Sequence, residues 1–206
     1  MKRILSLSLA LSFIFAISAI AQGPGGNKGA QAPGFNKGAV EAFNKGVGEA
    51  NKRNFKEAIG FYSKAIELDS KYVQALHNRG IVYYNLRSQP EAIADFTKLI
   101  EINSKDYESY NHRGLAYADQ KKYVESIADD TKAIELNPSY PAAYNHRGNS
   151  AFAMKNYTDA IADYTKAIEL EPADAKLFSN RGNAYKAMGK NKEAEEDFAK
   201  VKRLGN

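Results

Sequence analysis

The chain has no cysteine among its 206 residues. Disulfides, iron–sulfur clusters, thiolate zinc sites and cysteine nucleophiles are therefore excluded together. It also shows no serine–histidine–aspartate set, no metal-ligand motif and no phosphate-cradling loop, so the residues point neither to catalysis nor to a cofactor. A strong excess of one charge is missing as well. The formal charge is +5, from 29 basic and 24 acidic residues, and the two signs are interspersed, which is too mild a balance to argue for nucleic acid. The apolar content, 44%, is ordinary and speaks against disorder throughout. The length suits one ordinary domain or one short array.

Met1-Lys2-Arg3 leads into an apolar run from Ile4 to Ala21 broken only by serines, ending Ala19-Ile20-Ala21. A basic start, an apolar centre and small residues before a cut describe a secretory signal peptide over 1–21, so the rest is expected to be exported, periplasmic or secreted. Left uncut, the run sits at the lower edge of a membrane-spanning length, the one route to a membrane. Because no cysteine follows the leader, a bacterial lipoprotein is excluded. Cleavage removes Lys2 and Arg3 and leaves 27 basic residues against 24 acidic ones. Residues 22–38 are dense in glycine and proline, with Pro-Gly-x-Asn-Lys-Gly occurring twice. Such a segment reads as a flexible linker.

From 39 onward the chain repeats. Asn78-Arg79-Gly80, His112-Arg113-Gly114, His146-Arg147-Gly148 and Asn180-Arg181-Gly182 follow a degenerate Asn44-Lys45-Gly46 at a constant step of 34 residues. A second block, from Lys56-Glu57-Ala58-Ile59 to Lys192-Glu193-Ala194-Glu195, keeps the same step. A fixed period of this size without insertions is the mark of a stacked array. The units are 39–72, 73–106, 107–140, 141–174 and 175–206, a repeat domain over 39–206. Within the fourth, Tyr144, Ala151 and Phe152, then Ala160, Ile161, Tyr164, Ala167 and Ile168, recur at helical spacing, giving two helices per unit. Asn137-Pro138 and Glu171-Pro172 are placed to end second helices. The mid-helix glycines each cost about 1 kcal/mol against alanine. Their repetition predicts close helix packing, with Ala92, Ser126, Ala160 and Ala194 as the expected partners.

Tyr110, Gly114, Tyr117, Ala133 and Pro138, and Tyr144, Gly148, Ala160, Tyr164, Ala167 and Pro172, resemble the tetratricopeptide repeat in order and spacing. The resemblance implies an all-α fold, a right-handed α-solenoid of five helix-turn-helix repeats, and a non-catalytic scaffold that binds a protein or peptide on its concave face. A non-catalytic subunit of an exported enzyme or glycan-handling complex is the alternative. A monomer is favoured, since Glu195 and Lys202 replace the isoleucines of earlier repeats and give the last helix a polar outer face.

First helices are expected to line the concave side. One row comprises Asn44, Asn78, His112, His146 and Asn180, residues that both donate and accept hydrogen bonds and so suit a peptide backbone. It resembles the asparagine ladder in the repeat domain of O-linked N-acetylglucosamine transferase, with histidine at two places. Neighbouring rows add His77, Asn111, Asn145, Asn149, Asn183, Tyr84 and Phe152. A carboxylate clamp of the kind some family members carry is incomplete: where it needs basic residues stand Gln74, Glu108 and Ala142, with only Lys176 basic. His112 and His146 share a phase but lack a third ligand in register, so no metal site is expected.

Two further expectations concern the seam between helices. Arg79, Arg113, Arg147 and Arg181 occur in the repeats that also carry Asp95, Asp129, Asp163 and Asp197, and the first repeat lacks both partners. Joint presence predicts arginine–carboxylate pairs within each repeat. Asp130 stands where other repeats place Tyr62, Phe96, Tyr164 and Phe198. It marks either a gap reaching water or a polar pocket, and the gap is the expectation.

Overall fold

The computed structural model describes residues 36–205. The signal segment and the linker up to residue 35 lie outside them. Among the described residues there are ten α-helices and no strand. They fall into two compact units, 36–86 and 87–205.

The first unit holds α1 (Lys37–Asn51), α2 (Phe55–Leu68) and α3 (Val73–Asn85). α1 begins two residues before the expected start of the repeats because Asn36 caps it, its side-chain oxygen accepting from the Gly38 and Ala39 amides. The Asn36 amide also donates to Leu68 O at 3.2 Å. One asparagine thus starts the first helix and fastens it to the end of the second. The core is made of alanines at the helix crossings, Ala39, Ala42, Ala65 and Ala75, with Tyr72 and Phe43 filling the spaces they leave. A second cluster joins Ala50, Ala58, Tyr62 and Val82.

The second unit holds α4 (Gln89–Ile102), α5 (Tyr107–Asp119), α6 (Tyr123–Leu136), α7 (Pro141–Ala153), α8 (Tyr157–Leu170), α9 (Ala175–Ala187) and α10 (Asn191–Leu204). α6 and α8 stop one residue before Asn137-Pro138 and Glu171-Pro172, as the prolines dictate. Each of α5, α7 and α9 packs antiparallel on the helix that follows it. α5, α7 and α9 also touch one another in succession more closely than the second helices do, which places them on the inner side of the unit. Tyr144, Ala167 and Leu177 form one core cluster and Ala151, Ala160, Tyr164 and Ala184 another. Burying a large side chain such as Tyr164 stabilises the fold by about 1.5–3 kcal/mol.

The mid-helix glycines do not pack mainly against the alanines twelve residues on, as the sequence suggested. A Cβ on Gly148 would lie 2.8 Å from Tyr164 Cε1, and one on Gly46 would lie 2.6 Å from the Tyr62 ring. At Gly46, Gly148 and Gly182 the partner is the aromatic sixteen residues on, and at Gly114 it is Asp130 in the same place. Of the expected partners, Ser126 does approach Gly114, its backbone oxygen 3.3 Å from a Cβ there, whereas Ala160 and Ala194 are not among the nearest neighbours of Gly148 and Gly182. In each first-to-second helix turn one residue takes a left-handed conformation. These are Arg53, Arg87, Lys121 and Lys155, at φ between 61° and 65°, and Gly189 at 76°. Only the last is the residue type that adopts this without strain.

Candidate partner-binding face

Arg113, Arg147 and Arg181 form pairs with Asp129, Asp163 and Asp197, as expected. Arg113 donates to Asp129 from Nε at 2.8 Å and Nη2 at 2.7 Å. Arg147 does the same to Asp163 and Arg181 to Asp197. Their third contact goes beyond what joint presence predicts. Nη1 of each reaches back to the preceding second helix, to Thr97, Thr131 and Thr165 at 3.1 Å. In the first unit Arg79 donates to Ser63 in the same way. Each of Arg113, Arg147 and Arg181 therefore sits between residues sixteen before and sixteen after it, and that symmetric spacing was the signal available in the sequence. Three of the five guanidinium donors are held in this way, which gives these arginines a structural role.

The predicted binding residues divide once their surroundings are seen. In the first unit Asn44 is exposed, His77 and Tyr84 are half-buried, and Asn78 is only 3% exposed. In the second unit Asn111 is 1% exposed. Asn78 and Asn111 are thus corrected: both lie in the seam, out of reach of a partner. Their polarity misled the reading, since an amide is normally kept at the surface unless partners are waiting for it.

The remaining polar residues of the second unit interlock across neighbouring first helices. Asn180 Nδ2 donates to Asn145 Oδ1 at 2.9 Å and lies 3.4 Å from Asn149 Oδ1. Tyr164 OH donates to the same Asn149 oxygen at 2.8 Å. One repeat earlier, the Asn111 amide contacts His146 Nδ1 at 2.8 Å. His112 stacks on Phe96 with ring centroids 5.2 Å apart. The asparagine and histidine row is therefore largely an inter-repeat fastening. Asn149 and Asn183 stay exposed, with Phe152 half-buried beside them. These three, one turn apart or at equal phase on α7 and α9, are the predicted residues that the structure leaves open on the inner side. Among the described residues no three acidic or histidine side chains are grouped to hold a metal ion.

Asp130 is not at a gap. It is fully buried, and so are its neighbours Ser126 and Ser150, whose hydroxyls lie 2.9 Å apart. Asp130 Oδ1 is 2.6 Å from the Asn111 amide, and Oδ2 is buried without a partner. The missing aromatic leaves space that the Asn111 side chain enters from α5, with His146 of α7 bonded on its far side. Burial pushes the Asp130 carboxyl well above the usual carboxylate range and lowers His146 to about 4. Tyr140, whose hydroxyl donates to Asn111 Oδ1 at 3.4 Å, is also raised by burial. The polar pocket, the less favoured of the two sequence readings, is the one present.

Comparison with known proteins agrees with this architecture. A family model described as TPR repeat matches residues 52–86 and 148–189. Two described as tetratricopeptide repeat match 77–141 and 175–204. A solved structure of a protein named MamA is 26% identical, with a TM-score of 0.75 over 82% of this chain and 92% of that one. MamA of Desulfovibrio magneticus RS-1, from its residue 41 onward, is 19% identical with a TM-score of 0.77, covering 83% of this chain and 97% of that one. YrrB, described as a TPR protein with an unusual peptide-binding site, is 22% identical with a TM-score of 0.66, covering 81% and 86%. The last two show likeness of fold alone. No curated protein matches the sequence.

Proposed function

Because the chain belongs to the tetratricopeptide repeat family, we propose that it is a protein–protein interaction module that grips an extended segment of its partner on the inner side of α7 and α9, outside the cytoplasm. Proteins of this kind are generally non-catalytic scaffolds. The observation that carries the proposal is the pair Asn149 and Asn183, exposed at the same phase of adjacent first helices. Tyr164 and Asn180 occupy the Asn149 oxygen, so its NH2 group is turned outward as an oriented donor for a peptide carbonyl. Neighbouring packed helices lie about 8–10 Å apart, close to the rise of three residues of an extended chain. Phe152, one turn from Asn149, adds apolar surface for a side chain between the amide contacts.

Peptides selected from a random library against the purified protein test this. Replacing both Asn149 and Asn183 with alanine is expected to weaken the selected peptides about tenfold or more, since each lost amide bond is worth about 1 kcal/mol. Thermal stability should fall by only about 1–3 kcal/mol, because the Tyr164 hydroxyl loses its acceptor, so the variant stays folded. Equal affinity for variant and parent would remove the inner face as the binding site. For the site of action, N-terminal sequencing of the exported protein should begin at Gln22.

A further inference from the structure

The buried cluster behind the inner face is the part of the molecule that partner binding does not by itself account for. Asn111 stands at its centre, with three neighbours around one amide. These are Asp130 Oδ1 at 2.6 Å, His146 Nδ1 at 2.8 Å and the Tyr140 hydroxyl at 3.4 Å. Turning the amide by 180° exchanges its nitrogen and oxygen without moving anything else, so the same geometry supports two proton arrangements. With the NH2 group toward Asp130, it donates to an ionised carboxylate and to a bare His146 Nδ1. The ring proton is then on Nε2. With the oxygen toward Asp130, it accepts from a protonated carboxyl and from His146 Nδ1–H, and Nε2 is bare. His146 is half-buried, its one hydrogen bond is at Nδ1, and its Nε2 is not among the buried atoms left without a partner.

We propose that Asp130 and Asn111 are positioning residues for His146: the buried carboxyl, acting through the Asn111 amide, decides which ring nitrogen carries the proton, and so whether the inner face offers an acceptor or a donor at this place. The proposal rests on the inner face being the binding side. Two features favour the protonated arrangement near neutral pH. A separation of 2.6 Å falls in the range of O–H···O bonds and below that of N–H···O bonds. Asp130 Oδ2 has no partner, which costs far more for a carboxylate than for a neutral carboxyl. The groups facing Asp130 do not change this. α5 supplies Asn111 and the bare backbone of Gly114, and α6 supplies Asp129, already held by Arg113. The Arg147 charge of α7 is held by Asp163 of α8, and Tyr140 is neutral. At neutral pH His146 then presents a bare Nε2, suited to an N–H or O–H of the partner. Ionising Asp130 releases one proton to solvent, turns the amide and moves the ring proton to Nε2, which becomes a donor.

Long-range proton–nitrogen NMR on 15N-labelled protein reads the ring directly, with only three histidines to assign. His146 is expected as the Nδ1–H form at pH 7, passing to the Nε2–H form as pH is raised. In Asp130→Asn the side chain has no proton to titrate, so the His146 tautomer should no longer change as pH is raised above 7. A His146 ring in the Nε2–H form at pH 7, or one whose tautomer ignores both pH and Asp130→Asn, would overturn the proposal. The wild-type titration needs no variant to fold and no partner to bind. It therefore separates this relay from the binding reading, which fails independently if Asn149→Ala with Asn183→Ala leaves peptide affinity unchanged.

Discussion

Arg147 holds Asp163 through two bonds, Nε to Oδ2 at 2.9 Å and Nη2 to Oδ1 at 2.7 Å, while its Nη1 reaches Thr131 in the repeat before. Both side chains are mostly covered, at 24% and 10% exposure. Arg147 Cζ also lies 5.8 Å from the centre of the Tyr144 ring. One residue thereby joins two helices of its own repeat to the second helix of its neighbour.

Removing Arg147 leaves Asp163 buried and unpaired. Arg147→Ala is expected to cost about 3 kcal/mol in urea unfolding. Arg147→Lys should recover little, because an ammonium cannot make the paired bonds to Asp163 and reach Thr131 together. Asp163→Asn with Arg147 intact should cost less, since an amide can still accept one of the bonds.

Gly148 and Gly114 differ in what lies over them. Alanine in place of Gly148 gains about 1 kcal/mol of helix propensity, yet its Cβ meets the Tyr164 ring at 2.8 Å. A net loss of about 1–3 kcal/mol is expected from the displaced ring. At Gly114 the nearest atom is Asp130 Oδ1 at 3.2 Å, so Gly114→Ala should be the milder of the two. The ranking is checked by melting temperature.

The left-handed turn residues carry strain that a substitution can relieve. Lys155 has φ 64° where Gly189 has 76°. Lys155→Gly should raise stability by about 1 kcal/mol, and Gly189→Ala should lower it by a similar amount. A loss on Lys155→Gly would show that unfolded-chain entropy outweighs the steric gain.

Stability should vary with pH in opposite senses through the two buried groups. His146, lowered to about 4 in the fold from 6.5, is neutral when folded. The unfolded chain takes up the extra proton, so stability falls as pH drops from 6.5 toward 4, by up to about 3 kcal/mol. Asp130 is raised, so the folded state keeps its proton longer than the unfolded one. Its contribution is full below the unfolded value and is lost as pH rises through the folded one. Asp130→Asn should therefore flatten the alkaline side of the profile, and His146→Gln the acid side. A profile unchanged by both variants would mean neither group is shifted by the fold.

Much of the fold was legible in the order of the residues. The 34-residue step, the two helical stripes per unit and the prolines after Asn137 and Glu171 determined the ten helices and their pairing, because periodicity and chain stops are local properties of the backbone. The Arg147–Asp163 pair was legible too, as joint presence across repeats. The binding face was legible only in part. Asn78, Asn111, Asn149 and Asn183 are the same residue type, and first-helix phase alone placed all four together. Tertiary structure separated them. Whether an amide is buried depends on what the neighbouring helix puts against it: Asp130 in place of a ring draws Asn111 inward, while Tyr164 binds the Asn149 oxygen and leaves its NH2 outside. Sequence by itself determined which helices form and where they stop, since those are set by residues near in the chain. Which amides fasten the repeats and which face a partner was decided only by packing, since that is set by side chains brought together from different helices and different repeats.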